Sequence, residues 1–175
     1  MKKIISLICL IASAQLAMAS SYYWVGGTGK WSDYANHWAT SSGGAIYRTQ
    51  VPTLNDDVFF DANSFATATD TVYMDTTILV CHDMDWSAVT NNPHLQLVNN
   101  NSIFGSNISI FGSLAFSAAM TTGIDSCIFH FKTNGIATIN LAGHSLSIWS
   151  TFFDGTGSWT LLSDLTTGEI GRAHV

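Results

Sequence analysis

The sequence predicts an all-β protein. Apolar residues recur at every second position in many short segments, as in Leu95 and Leu97 or Ile108 and Ile110. This is the period of a strand, because successive side chains of a strand point to opposite faces. Glu occurs only at Glu169, and Ser, Thr, Asn and Gly fill most polar positions. A composition of this kind is unlike that of helical proteins, so we expect few helices.

Residues 1–19 have the order of a secretory signal peptide. Two lysines precede an apolar run at residues 4–12, and Ala17 and Ala19 supply a small-residue cleavage site. The apolar run is shorter than the roughly 20 residues that a membrane-spanning helix needs. We therefore predict that the mature chain begins at Ser20, has no transmembrane segment, and is secreted or displayed at the cell surface.

The charge pattern excludes a nucleic-acid-binding protein. Between residues 20 and 168 the basic residues Lys30, Arg48 and Lys132 stand against eleven Asp, so three positive charges and eleven negative ones give a net charge of −8. So few cations cannot neutralise a phosphate backbone. Asp favours turns, because its short carboxylate accepts backbone N–H bonds. Much of the acidity is therefore expected in turns.

Glycine-bearing corners recur along the second half of the chain. Residues 110–116, 141–148 and 153–161 each place apolar residues on both sides of a short turn that contains glycine. Such units cannot bury an apolar face alone, and stacking them gives a β-solenoid with a continuous core. An antiparallel β-sandwich is the alternative, because Asn134-Gly135 between two strand-like runs is a strong hairpin signal. Spacing alone leaves both folds open.

The aromatic block near the N-terminus favours the solenoid. In order it contains Tyr23-Trp24, a glycine run, Trp31, Asn36-His-Trp38, Pro52 and Asp57-Val58-Phe59. This order resembles the opening of large adhesin-like surface proteins that gliding Gram-negative bacteria export by type IX secretion, and the opening of autotransporter passengers. The resemblance covers nearly all of residues 21–165. It implies a right-handed parallel β-helix with an aromatic-rich N-terminal cap, and it implies an architecture without specifying an activity.

The predicted organisation has four parts. A signal peptide at residues 1–19 precedes a cap at 20–65, which is rich in aromatic residues and glycine, and solenoid rungs at 66–168. A cap is expected because an open solenoid end exposes unpaired backbone groups and apolar side chains. Residues 169–175 resemble the translation of a sequencing adapter, so we interpret them as an artefact at the end of a truncated fragment.

Aromatic residues of the cap are candidate glycan ligands. Their rings would stack on the C–H faces of sugars, while neighbouring polar groups would bond to the hydroxyls. The candidates are Tyr23, Trp24, Trp31, Trp38, Asp33 and Asn36. The alternative is that these rings form the core of the cap, because large aromatic side chains are usually buried.

Four side chains that follow Pro52 are candidate calcium ligands. Asn55, Asp56, Asp57 and Asp61 offer the oxygen atoms that calcium prefers. They lack the spacing of an EF-hand loop, so hydrogen bonds within turns are the alternative. No other cofactor is predicted.

The sequence nominates no catalytic site. Asp83 and Asp85 would share one face of a strand, but the apolar residues that alternate with them explain the pattern as polar outside and apolar inside. The histidines are dispersed, and His130 is expected to face outward between two Phe residues. No basic residue has an obvious carboxylate partner, although a polysaccharide lyase needs a basic group to stabilise its developing enolate.

These observations predict an exported, non-catalytic, adhesin-like β-solenoid protein. It would act as a stiff extracellular scaffold or attachment module, and its partners would be extracellular glycans or the surfaces of host or neighbouring cells. The alternative is a carbohydrate-binding β module that uses the N-terminal Trp and Tyr residues. A β-helical polysaccharide lyase or hydrolase is the third alternative.

Overall fold

The computed structural model of the chain describes residues 19–98, 106–124, 126–146, 150–166 and 170–171. Of the predicted signal peptide, only Ala19 lies within these ranges. Of the tail that resembles an adapter, only Ile170–Gly171 does so. The rest of both segments lies outside the described residues.

The described residues form sixteen strands and one short helix. In chain order they are β1 (Ser21–Trp24), β2 (Gly29–Lys30), α1 (Tyr34–His37), β3 (Trp38–Ala39), β4 (Asp57–Phe59), β5 (Thr71–Met74), β6 (Ile78–Cys81), β7 (Met84–Asp85), β8 (His94–Leu97), β9 (Asn107–Ile110), β10 (Leu114–Ala115), β11 (Thr121–Gly123), β12 (Ile128–Phe131), β13 (Ile136–Asn140), β14 (Ser150–Phe153), β15 (Ser158–Leu161) and β16 (Ile170–Gly171). Strands this short are not stable alone, so each depends on its neighbours in the sheet.

The chain visits three sheets in turn. The first sheet has the order β15-β13-β10-β7-β4-β1-β3, the second β11-β8-β5-β2, and the third β16-β14-β12-β9-β6. Every strand pairing that the structure describes is parallel, except that of β1 with β3. The chain therefore forms a β-solenoid of about four turns, and the predicted fold class is confirmed.

In-register pairing stacks apolar side chains into columns inside the solenoid. In the first sheet Val58 pairs with Met84, Met84 with Leu114, and Leu114 with Ile139. None of these four side chains is more than 1% exposed. Because side chains alternate between the two faces of a strand, a shift by one residue would bring polar neighbours into the core. The core columns therefore specify the register between coils.

The predicted hairpin at Asn134-Gly135 is wrong, and so is the antiparallel sandwich that depends on it. β12 belongs to the third sheet and β13 to the first, so residues 132–135 form a corner between two sheets. Neither Asn134 nor Gly135 has a positive φ, which a type I′ hairpin turn requires. The Asn-Gly pair marks a turn correctly, but both strands find their partners one coil away.

The three similar segments occupy two kinds of corner. Residues 110–116 and 153–161 both connect the third sheet to the first. Of the third segment the structure describes residues 141–146, which follow β13 of the first sheet. A short glycine-bearing turn suits either corner, so sequence similarity alone does not distinguish them.

The N-terminal strands belong to the sheets of the solenoid. β1 pairs in parallel with β4, and β2 pairs in parallel with β5. β3 lies antiparallel on the other edge of β1. The first full coil begins with β4, so the boundary predicted at residue 65 falls inside that coil, between β4 and β5.

Cys81 and Cys127 are both buried thiols. The sequence favours this outcome over a disulfide, because both residues lie in strand-like apolar runs and Cys is among the most buried residue types. Burial raises the pKa of the Cys81 thiol, and the nearby carboxylates of Asp83 and Asp57 raise it further. The Cys81 thiol therefore stays protonated at neutral pH.

Alkylation tests this arrangement. We expect neither Cys81 nor Cys127 to react appreciably with iodoacetamide in the native protein at pH 8, because the reactive species is an accessible thiolate. Both thiols should react fully in guanidinium chloride, and peptide mass spectrometry resolves the two sites. Rapid labelling of either residue in the native protein would contradict the buried placement.

Candidate functional site

The three tryptophans of the N-terminal block form the core of the cap. Trp24, Trp31 and Trp38 are at most 2% exposed. The Trp38 ring makes edge-to-face contacts with both others, with centroids 5.0 Å from Trp24 and 4.8 Å from Trp31. Trp38 Nε1 also donates to the Trp31 carbonyl at 3.0 Å. A sugar needs an open aromatic face, so these three residues cannot form the predicted stacking platform.

The other predicted glycan ligands are held by separate neighbours. The half-buried ring of Tyr23 stacks on Phe59, with centroids 5.0 Å apart and an interplanar angle of 20°. The Asn36 side-chain amide donates to both carboxylate oxygens of Asp33, at 2.9 and 3.0 Å. Asp33 stands at the N-cap of α1, and Asn36 lies within that helix. These two residues bond to each other beside the helix.

The three aspartates among the four predicted calcium ligands accept hydrogen bonds from different neighbours. The buried Asp56 carboxylate accepts from the Thr53 N–H at 2.9 Å and the Thr53 hydroxyl at 2.6 Å. Asp61 Oδ1 accepts from the Asn63 N–H at 2.8 Å. The Asn55 N–H donates to the Thr53 hydroxyl at 3.4 Å. These contacts stabilise turns, and of the three aspartates only Asp57 belongs to a group of side chains that could hold a metal ion.

Asp57, His82 and Asp83 come together at a corner of the solenoid. His82 Nδ1 lies 2.8 Å from Asp57 Oδ1 and 3.3 Å from Asp83 Oδ1. One ligand atom from each residue lies within 4.8 Å of the other two. The side chains of His82, Asp83 and Asp57 are 45%, 39% and 28% exposed. Two carboxylates therefore face one imidazole nitrogen at a position open to solvent.

The turn from the third sheet to the first positions this cluster. β6 ends at Cys81 and β7 begins at Met84, so His82 and Asp83 form the whole connection. Asp57 begins β4 in the preceding coil, and the pairing of the next residue with Met84 brings Asp57 beside Asp83. The Asp83 N–H donates to Asp57 Oδ1 at 3.2 Å.

Gly112 and Ser113 complete the corner in the following coil. The Ser113 N–H donates to Asp83 Oδ1 at 2.6 Å, and the Gly112 N–H donates to the His82 carbonyl at 2.9 Å. A Cβ at Gly112 would lie 1.9 Å from Asp83 Oδ1, so the absence of a side chain makes room for the carboxylate. Asp83 is thereby held between the preceding coil and the following one.

Sequence reasoning identifies Asp57 and Asp83 but does not connect either of them with His82. It groups Asp57 with its neighbours in the sequence, and it pairs Asp83 with Asp85. In the structure Asp85 Oδ1 accepts the Ser87 N–H at 2.8 Å, within its own turn. Asp57 and Asp83 become neighbours only when β4 pairs with β7. The sequence does not show this register between coils, so it could not reveal the cluster.

The other described histidines are dispersed, as the sequence indicates. Each bonds to a different neighbour: His37 to the Val25 carbonyl, His94 to the Thr121 hydroxyl, His130 to the Asp154 carboxylate and His144 to the Ser117 carbonyl. His130 is half-buried between two buried Phe residues, which agrees with its predicted outward position. Within the part of the chain that the structure describes, Asp57, His82 and Asp83 are the one group with metal-ligating geometry.

A small cleft lies between the cap and the first coil. Its volume is about 370 Å³, and its lining includes residues 26–27, 63–66 and Asp70. The pKa of Asp70 lies below its ordinary value. Partial burial raises this pKa, but hydrogen bonds to the carboxylate lower it by more. The donors are two backbone N–H groups of the preceding turn and the hydroxyls of Thr67 and Thr28. Because Thr28 belongs to the cap, Asp70 joins the cap to the coil.

The fold and the geometry of the Asp57, His82 and Asp83 cluster are the grounds for inferring a function, because comparison with known proteins gives no match. No family model, curated protein or solved structure matches the chain. Among the described residues, no helix has the length and apolar character required to cross a bilayer.

Proposed function

We propose that this chain is the N-terminal part of an exported, adhesin-like surface protein, and that its solenoid is a stiff, non-catalytic extracellular scaffold or attachment module. The observation that carries this proposal is the in-register stacking of successive coils in all three sheets. Bending such a stack would break backbone hydrogen bonds between coils and separate core side chains. A rod of this kind can hold a binding surface away from the cell.

The outward positions of the sheets support attachment through hydrogen bonds. In the second sheet Tyr73 pairs with Gln96, and in the first sheet Thr138 pairs with Thr160. All four are at least partly exposed. Hydroxyl and amide groups on a surface of low charge suit the hydroxyls of glycans better than they suit a phosphate polymer. Extracellular glycans on neighbouring surfaces are therefore the proposed partners.

The roles of three turn carboxylates support a non-catalytic protein. Asp56, Asp61 and Asp70 accept hydrogen bonds from backbone N–H groups in turns. A general acid or base must be available to a reacting group. These carboxylates instead stabilise the connections between strands.

Expression of the full chain in a Gram-negative host tests the export. We expect the exported product to begin at Ser20, which N-terminal mass spectrometry identifies. Deletion of residues 1–19 should keep the protein in the cytoplasm, because the segment that the export machinery recognises is lost. An uncleaved full-length chain that stays inside the cell would contradict the proposal.

Beads coated with the exported protein test attachment. We expect them to retain bacterial cells or isolated surface glycan several-fold better than beads coated with albumin. Heat-denatured protein should lose this retention, because the binding surface depends on the coil register. Retention equal to that on albumin would contradict an attachment role. Release of reducing or unsaturated sugars by the purified protein would contradict the non-catalytic assignment.

A further inference from the structure

We propose that Asp57, His82 and Asp83 form a binding site for one divalent transition-metal ion such as Zn²⁺. The ligands would be one oxygen of each carboxylate and Nδ1 of the imidazole, and one ligand atom of each residue lies within 4.8 Å of those of the other two. This site goes beyond the scaffold role and does not depend on it.

The two distances from His82 Nδ1 to the carboxylates are close to those of a metal coordination shell. Zinc binds nitrogen and carboxylate oxygen at roughly 2.0–2.2 Å, so neighbouring ligand atoms in a tetrahedral shell stand about 3.3–3.6 Å apart. The two separations from His82 Nδ1 are 2.8 Å to Asp57 Oδ1 and 3.3 Å to Asp83 Oδ1. A slight outward movement of the side chains would therefore admit an ion.

A hydrogen bond from His82 accounts for only part of this arrangement. Nδ1 carries at most one proton, which points to one acceptor at a time. The structure nevertheless places carboxylates of both Asp57 and Asp83 against this nitrogen. A divalent ion in the place of the proton would contact both carboxylates at once and neutralise their charges.

The backbone preorganises the ligands. The N–H of Ser113 holds Asp83 Oδ1, and the N–H of Asp83 holds Asp57 Oδ1. An ionised carboxylate has about four lone-pair sites, so these bonds leave room for a metal. Gly112 leaves open the space that Asp83 occupies. Because Asp57 lies one coil before His82, the ion would link two coils.

The donor set selects the class of metal. Calcium and magnesium prefer shells made of oxygen, whereas imidazole suits zinc and its transition-metal neighbours. Asp57 is thus a candidate ligand, as the sequence predicts, but for a different kind of ion and with different partners. The exposed fractions of the side chains allow water to complete the shell.

Isothermal titration of the EDTA-treated, dialysed full chain with Zn²⁺ tests the proposal. We expect one ion per chain and a rise in melting temperature of about 2–4 °C at saturation, because the ion binds the folded state. His82→Gln should weaken this binding by more than about 10-fold, since it removes the nitrogen ligand. Asp57→Asn keeps the shape of the side chain and should also weaken Zn²⁺ binding. This variant tests the site if His82→Gln fails to fold.

Matched controls separate this site from other zinc ligands in the chain. His144→Gln changes a histidine that bonds to the Ser117 carbonyl, and Asp85→Asn changes a carboxylate within its own turn, so both variants should keep full affinity. The visible absorption spectrum of Co²⁺ bound to the His82→Gln variant should differ from that of Co²⁺ bound to the unsubstituted protein. The proposal is overturned by an absence of Zn²⁺ binding at 1 mM, by binding that is the same in His82→Gln and Asp57→Asn, or by calcium binding as tightly as zinc.

Discussion

Replacing Trp38 with alanine is expected to lower the free energy of unfolding by about 3–5 kcal/mol, the range for truncating a large aromatic residue in a core. Trp38 is completely buried and lies at the centre of the cap. Its ring contacts Tyr22, Trp24, Trp31 and Phe60, with centroid distances between 4.8 and 6.0 Å. Alanine would leave a cavity among rigid rings that cannot collapse into it.

Tyr34→Ala is the matched control for this prediction. Tyr34 belongs to the same segment of the cap but is 38% exposed, so its removal should change the free energy of unfolding by less than about 1 kcal/mol. Urea unfolding followed by circular dichroism measures both variants and avoids dependence on tryptophan fluorescence. Equal losses in the two variants would show that Trp38 is not the centre of the cap core.

Replacing Gly155 with alanine is expected to destabilise the protein by about 1–3 kcal/mol, because the new methyl group overpacks a corner. The added Cβ would lie 2.0 Å from the Thr133 carbonyl oxygen and 2.7 Å from the Lys132 carbonyl carbon. Both are backbone atoms of the preceding coil, which cannot move aside as a flexible side chain can. The β14–β15 corner must therefore shift, and the N–H of Gly157 should lose its 3.0 Å bond to the Thr133 carbonyl.

Gly135→Ala provides a control at the stacked corner of the preceding coil. The nearest atom to a Cβ there is the Thr133 hydroxyl oxygen, at 3.9 Å, and Gly135 does not have a positive φ. Alanine should be neutral or stabilise by up to about 1 kcal/mol, since it lowers the entropy of the unfolded chain. Thermal unfolding together with hydrogen exchange at β15 distinguishes the variants. Identical melting temperatures would contradict the close approach of the two coils.

Features that depend on neighbouring residues were predictable from the sequence. The alternation around Asp83 and Asp85 places Met84 and Trp86 in the core, at 1% and 0% exposed, as predicted. Alternation is a property of consecutive residues in any strand, so it needs no knowledge of the partner. The same reasoning predicts the outward position of His130, which the structure confirms.

Features that depend on which strands meet were not predictable in this way. The Asn134-Gly135 pair marks a turn, but its local chemistry does not tell whether the next strand folds back or continues into another sheet. The indole rings of Trp24 and Trp31 suit either a sugar or a core, and only packing against Trp38 decides between them. Burial is a property of the assembled cap.

The order of the residues was sufficient to predict the all-β class, the inward and outward sides of the strands, and the use of Asp in turns. The pairing of strands in the folded chain sets which residues of successive coils are neighbours, and this pairing places Asp57 beside His82 and Asp83. The number of residues between paired positions differs from coil to coil, as the pairs of Val58 with Met84 and of Met84 with Leu114 show. Lengthening a loop adds little free energy, so connections vary in length while the core columns keep their register.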